Sequence, residues 1–128
     1  MPDKHLYEYA VIRVVPSVER EEFLNVGVIL YCREQKFLQA VYTLNEDKLR
    51  AFSPHTDINF IRPYLDAFVA IAAGDKTAGP IARQDIAGRF RWLTATRSSV
   101  VQTSKVHPGF CGGSAGETLM RLHEELVL

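Results

Sequence analysis

The chain has 128 residues and a formal net charge of +0, with 47% hydrophobic and 23% charged residues. This composition excludes a disordered or fibrous chain. The length predicts a single domain over residues 1–128 with one core. The charge balance argues against a whole-protein electrostatic grip on nucleic acid or anionic lipid, so only a local patch of charge could bind either.

The sequence contains no pattern typical of export or of a membrane span. No apolar stretch approaches the roughly twenty residues that a membrane helix needs, and the N-terminal residues lack the apolar region of a signal peptide. We therefore expect a cytoplasmic protein that does not enter a membrane. In that compartment the two cysteines, Cys32 and Cys111, should be reduced thiols.

Three strand patterns follow one another in the first third of the chain. Residues 6–15, 23–32 and 37–43 are rich in β-branched and aromatic side chains. Their connections are too short for a parallel crossover, so the three strands should form a consecutive antiparallel meander. A weaker fourth strand is predicted at 99–103, and residues 107–113 are predicted to form a glycine-containing loop.

Helix patterns occupy most of the remaining chain, and each begins after a residue suited to cap it. These capping residues are Asn45, Asp57, Asp85 and Ser114. Pro63 disturbs the longest pattern, so that helix either kinks there or starts near Arg62. Gly74 is placed to end it in the left-handed conformation. The sequence predicts an α+β fold, with an antiparallel sheet of three to four strands and three to four helices mainly on one face.

Two segments carry a resemblance to a known family. They are YEYAVIRVVP at residues 7–16 and EFLNVGVILY at residues 22–31, with Asn25-Val26-Gly27-Val28 as the most specific piece. The chain resembles the uncharacterised bacterial family DUF3037, and the likeness covers nearly its whole length. The resemblance implies no biochemical activity and no catalytic residue. It implies a context, since genes of this family often lie beside genes for HipA-like protein kinases, and such a kinase is therefore a candidate partner.

A first candidate site lies in the middle of the second strand, where Asn25 and Gly27 should point to the same side. An amide and a missing side chain both destabilise the middle of a strand, so we expect a structural or functional reason for these two residues. One interpretation is a β-bulge or a close helix-to-sheet contact, with Asn25 bonded to backbone. The other is a notch for a ligand or a partner, lined by Asn25, Gly27 and Arg13 and flanked by Tyr7 and Tyr9.

A second candidate site is the loop that holds His107 and Cys111, four residues apart. Two ligands do not complete a zinc site, and no other metal or cofactor motif is present, so we expect neither. A Cys-His nucleophile would also need an orienting group. The glycines that precede Ser114 suggest a phosphate cradle at a helix N-terminus. They lack the spacing of a phosphate-binding loop, which favours a flexible connector.

The third candidate is a basic segment, residues 83–105, which holds five basic side chains against one acid, Asp85. Its candidate partner patch comprises Arg89, Arg91, Arg97 and Lys105. Trp92 could stack on Arg89, while Arg97 and Lys105 share a predicted strand face with hydroxyl side chains. Such a face suits phosphate or an acidic protein surface. The alternative is a solvated basic face with Trp92 in the core.

These patterns favour a non-enzymatic protein-binding or accessory module over an enzyme. The alternative is a small enzyme or a phosphate-ligand-binding factor that uses the His107/Cys111 loop. An enzyme should place these two side chains in a concave pocket beside a third polar group, whereas a binding module should present a charged or apolar patch.

Overall fold

The computed structural model describes residues 4–95, 97 and 99–128. Residues 1–3 belong to the N-terminal segment in which we find no export pattern, and they lie outside the described residues. The strands are β1 His5–Val14, β2 Leu24–Cys32, β3 Phe37–Tyr42, β4 Val101–Thr103 and β5 His107–Cys111. The α-helices of the described chain are α1 Glu46–Phe52, α2 Ile58–Ala73, α3 Ile86–Leu93 and α4 Ala115–Leu126.

All five strands belong to one antiparallel sheet in which β3, at one edge, pairs with β2, and β2 pairs with β1. The predicted meander is therefore confirmed. Strands β4 and β5 both pair with the remaining edge of β1, β4 beside Ile12–Val14 and β5 beside His5–Tyr9. The structure confirms the α+β class and extends the sheet to five strands.

The fifth strand replaces most of the predicted glycine-containing loop, so the loop prediction is wrong for residues 107–111. Pro108 and Gly109 disfavour a strand in isolation. At a sheet edge a proline is tolerated, because its missing N–H faces away from the neighbouring strand. Gly109 leaves room for the Tyr7 ring, because a Cβ at this position would lie 2.4 Å from Cζ of Tyr7.

The predicted caps are confirmed at all four helices. The side chains of Asn45, Asp57, Asp85 and Ser114 each accept a hydrogen bond from a backbone N–H in the first turn. Helix α2 begins at Ile58 and continues through Pro63, which settles the two alternatives for its start. Gly74 ends it with φ at 75°, the left-handed conformation that glycine adopts without strain.

The sheet has a hydrophobic core on each face. Helices α1, α2 and α3 pack on one face, around Ile12, Ile29 and Leu65. Helix α4 packs on the other face, around Leu30 and Leu119. Three helices thus share a face, as predicted, and the central strands are buried on both sides.

Candidate functional site

A β-bulge interrupts the pairing of β1 and β2 at the predicted notch. Ile12 lies opposite Gly27 and Arg13 lies opposite Asn25, so Val26 is an extra residue on β2. An extra residue shifts the alternation of side chains by one position. Asn25 consequently points toward α4, whereas Gly27 points to the opposite face with Ile12. The expectation that Asn25 and Gly27 share a side is therefore wrong, and Arg13, Asn25 and Gly27 do not line one notch.

The space beside Gly27 is filled by strand β3. A Cβ at this position would lie 2.3 Å from the carbonyl oxygen of Val41 and 2.9 Å from Cβ of Tyr42. Real Cβ atoms essentially never approach other heavy atoms below 3.0 Å. Gly27 therefore permits the close approach of β2 and β3, which is a packing role.

Arg13 and Asn25 remain cross-strand neighbours on the face that α4 covers. The guanidinium carbon of Arg13 lies 3.8 Å from the centroid of the Phe23 ring, a cation–π distance. The side-chain amide of Asn25 donates to the carbonyl oxygen of Leu126 at 3.4 Å, which joins β2 to the end of α4. This bulge with Asn25 bonded to backbone matches the first interpretation. Ligand binding by Arg13 and Asn25 stays a prediction.

His107 and Cys111 lie at opposite ends of β5. Four residues of extended strand place their Cα atoms about 13 Å apart, and the Tyr7 ring lies over Gly109 between them. His107 is exposed and lies against the Tyr9 ring with centroids 5.4 Å apart, whereas Cys111 is buried. A catalytic base must lie within hydrogen-bond reach of its thiol. The spacing that suggested a Cys-His site thus produces two separate side chains.

The N-terminus of α4 is occupied by the chain's own side chains. The N–H of Ala115 donates to Oε1 of Gln35 at 2.7 Å, and the N–H of Glu117 donates to Oγ of Ser114 at 3.0 Å. A bound phosphate would have to replace these acceptors beside the Glu117 carboxylate. The arrangement therefore does not favour the phosphate-cradle interpretation.

Arg89 of the predicted basic patch is committed to a structural contact. Its Nη1 donates to the carbonyl oxygen of Gln84 at 2.7 Å, and its Nη2 donates to the carbonyl oxygen of Ala72 at 3.4 Å. Ala72 belongs to the last turn of α2, where a cation is favourable. Arg89 thus holds α3 against the end of α2 and is not a free member of the patch.

The partner of the Trp92 ring is Arg97. The guanidinium carbon of Arg97 lies 4.0 Å from the ring centroid, and Nη2 donates to the Trp92 carbonyl oxygen. Trp92 itself is 41% exposed, so the alternative that placed Trp92 in the core is wrong. Strand β4 covers only Val101–Thr103, so Arg97 and Lys105 lie outside it and the predicted strand face does not form. Within the described residues, Arg91, Arg97 and Lys105 form no ion pair with a carboxylate.

An open groove of about 410 Å³ lies between α2, α3 and the edge of β4. Its wall carries three exposed aromatic side chains, Phe60 at 57%, Tyr64 at 51% and Trp92 at 41%. We call this surface the aromatic groove and define it by Phe60, Tyr64, Phe68, Ile71, Trp92 and Arg97 together with β4. Exposed apolar side chains around a groove are typical of protein- and ligand-binding surfaces, so the aromatic groove is a candidate binding surface.

Sequence reasoning missed Phe60 and Tyr64. The two residues are four apart and lie outside the buried stripe of α2, and their rings form an edge-to-face pair with centroids 5.4 Å apart. A pair of large aromatic residues on the solvent side of an amphipathic helix was the available signal. Their proximity to Trp92 depends on how α2 packs on α3, which the local pattern does not contain.

The described residues offer little support for a metal site or a membrane span. No group of three or more His, Cys, Asp or Glu side chains in this part of the chain is placed to hold a metal ion. None of the helices described combines the length and the apolar character needed to cross a bilayer.

The fold and the groove define a small α+β domain with a sheet covered on both faces and an open apolar surface at one edge. The family described as "Protein of unknown function (DUF3037)" matches residues 9–127, and the chain belongs to that family. No curated protein and no solved structure matches the chain.

Proposed function

We propose that this chain is a non-enzymatic protein-binding or accessory module of the bacterial cytoplasm and that the aromatic groove is its binding surface. The exposure of Phe60, Tyr64 and Trp92 around one apolar groove carries the proposal. Tyrosine and tryptophan are enriched among the residues that contribute most to protein–protein binding. Leaving the three aromatic rings in water has a cost that a partner would remove.

The competing proposal is a small enzyme or phosphate-ligand-binding factor at His107 and Cys111, and the geometry supports it less well. The two side chains stand at opposite ends of β5. The nearby helix N-terminus already binds Gln35 and Ser114. The groove therefore supports a binding function better than β5 supports a reaction.

The charge beside the groove favours a partner with an acidic surface. Arg97 lines the groove, and in the described part of the chain it has no carboxylate partner. An unpaired cation at an interface favours partners of opposite charge and disfavours others. A HipA-like kinase, suggested by the family resemblance, is one candidate to test.

Site-specific photo-crosslinking in the bacterium that encodes the chain tests the proposal. Benzoyl-phenylalanine replaces Tyr64 in the groove or, as a matched control, Phe110, which is 67% exposed on β5. We expect one recurring protein to be crosslinked from position 64 and absent from position 110. Equal crosslinking from both positions, or none from position 64, would contradict the assignment of the groove as the binding surface.

A further inference from the structure

The edge of β4 that faces away from β1 borders the aromatic groove. In the described sheet β4 pairs only with β1, and Val101 and Thr103 line the groove. A strand edge presents a row of unpaired backbone groups that can pair with another chain. Proteins protect such edges by keeping them short or with charged residues, proline or bulges. Strand β4, Val-Gln-Thr, is short, but it contains no charged residue or proline.

The hydrogen bonds of β4 show which backbone groups face outward. Val15 donates to the carbonyl oxygen of Val100, and Ser104 donates to the carbonyl oxygen of Val11, so even-numbered residues bond to β1. In an antiparallel pair the intervening residues direct their backbone groups to the opposite side. The outward groups are therefore those of Val101 and Thr103.

Three of these outward groups are free among the described residues. The carbonyl oxygen of Val101 accepts from the hydroxyl of Ser99 at 2.6 Å. No partner within the described chain bonds the N–H of Val101 or the N–H and carbonyl oxygen of Thr103. Two donors and one acceptor thus stand at the rim of an apolar groove.

We propose that the occupant of the groove is an extended, acidic segment of a protein partner that adds a strand to β4. The inference rests on the proposed function and specifies the conformation and charge of the partner. Strand addition of this type obtains affinity from backbone hydrogen bonds and specificity from pockets for alternate side chains.

The geometry of the sheet determines which side chains of the segment enter the groove. Val101 and Thr103 lie opposite Val14 and Ile12, whose side chains belong to the core under α2 and α3. A strand paired with β4 would direct every second side chain to this same face. Those side chains should be apolar, because Phe68 and Ile71 line the groove there.

Arg97 supplies the preference for an acidic segment. Its stacking on Trp92 fixes one face of the guanidinium group, and the planar group can still donate from its edge to a carboxylate. The surrounding residues 83–105 carry five basic side chains and one acid, which repels a basic segment.

The test uses a phage-displayed library of random nine-residue peptides selected on the full chain. The most enriched peptide is then synthesised with a fluorescein label, and its affinity is measured by anisotropy. N-methyl groups are placed on one backbone nitrogen of this peptide at a time. Strand addition predicts a loss of affinity at two positions that are two residues apart, where the peptide N–H groups face the carbonyl oxygens of Thr103 and Val101, and no loss at the position between them, because only alternate N–H groups face β4. It also predicts acidic residues and alternating apolar residues in the selected peptides.

Variants of the chain supply the second readout. Thr103→Pro removes one outward N–H and should weaken binding of the peptide by at least about tenfold. Thr103→Val keeps that N–H and should remain within about twofold of wild type. Arg97→Gln should weaken binding by about tenfold, whereas Arg33→Gln, in the exposed turn between β2 and β3, should not. The N-methyl pattern does not depend on the folding of any variant.

The outcomes separate strand addition from the proposed function itself. If Tyr64→Ser abolishes peptide binding but N-methylation shows no loss of affinity with a two-residue spacing, strand addition is refuted and the groove remains the binding surface. If no selected peptide loses affinity on substitution of Tyr64 or of Thr103, strand addition and the groove as a binding surface are both refuted. A wild-type dimer that Thr103→Pro converts to a monomer would identify a second copy as the occupant and overturn the inference.

Discussion

Replacement of Gly27 by alanine should destabilise the fold by about 3 kcal/mol, near the upper end of the cost of overpacking. The new Cβ would lie 2.3 Å from the carbonyl oxygen of Val41, 2.9 Å from Cβ of Tyr42 and 3.1 Å from Cδ1 of Ile12. The first of these atoms is backbone, so it cannot rotate away. Strand β3 would have to withdraw by roughly 0.7 Å to restore even a 3.0 Å contact.

Urea unfolding, monitored by circular dichroism, gives the free energy of unfolding, and calorimetry gives the melting temperature. A loss of about 3 kcal/mol corresponds to a decrease of roughly 10 °C for a chain of this size. Gly112→Ala is the matched control, because a Cβ at Gly112 meets nothing within 4 Å. We expect this control to remain within about 0.5 kcal/mol of wild type.

The result also distinguishes the two interpretations of the central glycine. If Gly27→Ala unfolds at the same temperature as wild type, the space beside Gly27 is open and the packing argument is refuted. The notch hypothesis would then regain its support.

Three further predictions concern buried polar groups and thiols. Ser104→Ala should lose about 1–3 kcal/mol, because the Ser104 hydroxyl is the acceptor for the N–H of Val11 at 2.8 Å; an unchanged stability in urea would contradict this. Burial lowers the pKa of His123 from 6.5, so the unfolded chain binds the proton first and wild type should lose stability as the pH falls below 6.5. His123→Gln should lose less unfolding free energy than wild type between pH 7 and 5. Equal losses in matched urea titrations would refute the assignment of this pH dependence to His123. Cys32 and Cys111 are both buried and free, so a thiol-specific reagent should react only after unfolding, and a fast reaction in the native chain would count against packed thiols.

Most of the local structure could be predicted from the sequence because its determinants are adjacent in the chain. A capping residue and the backbone N–H that donates to it lie two or three positions apart, as at Asp85 and Gly88. The meander likewise follows from short connections. These features need no knowledge of distant residues.

The candidate sites were predicted less well because they depend on contacts between distant segments. The bulge at Val26 moves the side chain of Asn25 to the other face of the sheet, and the alternation of residues in β2 does not predict this bulge. Strand β5 places Gly109 against the Tyr7 ring, a contact across about a hundred residues. The aromatic groove needs α2 to pack beside α3 and β4.

The central claim is that the aromatic groove binds a protein partner, and calorimetric titration of the protein crosslinked at position 64 tests it most directly. The titration compares wild type, the double variant Phe60→Ala/Tyr64→Ala and the control Phe110→Ala, which removes an exposed ring from β5. Truncation of an aromatic residue that anchors a protein interface costs about 2 kcal/mol or more, so the double variant should bind at least about tenfold more weakly. The control should bind within about twofold of wild type. Equal affinities for wild type and the double variant would contradict the claim.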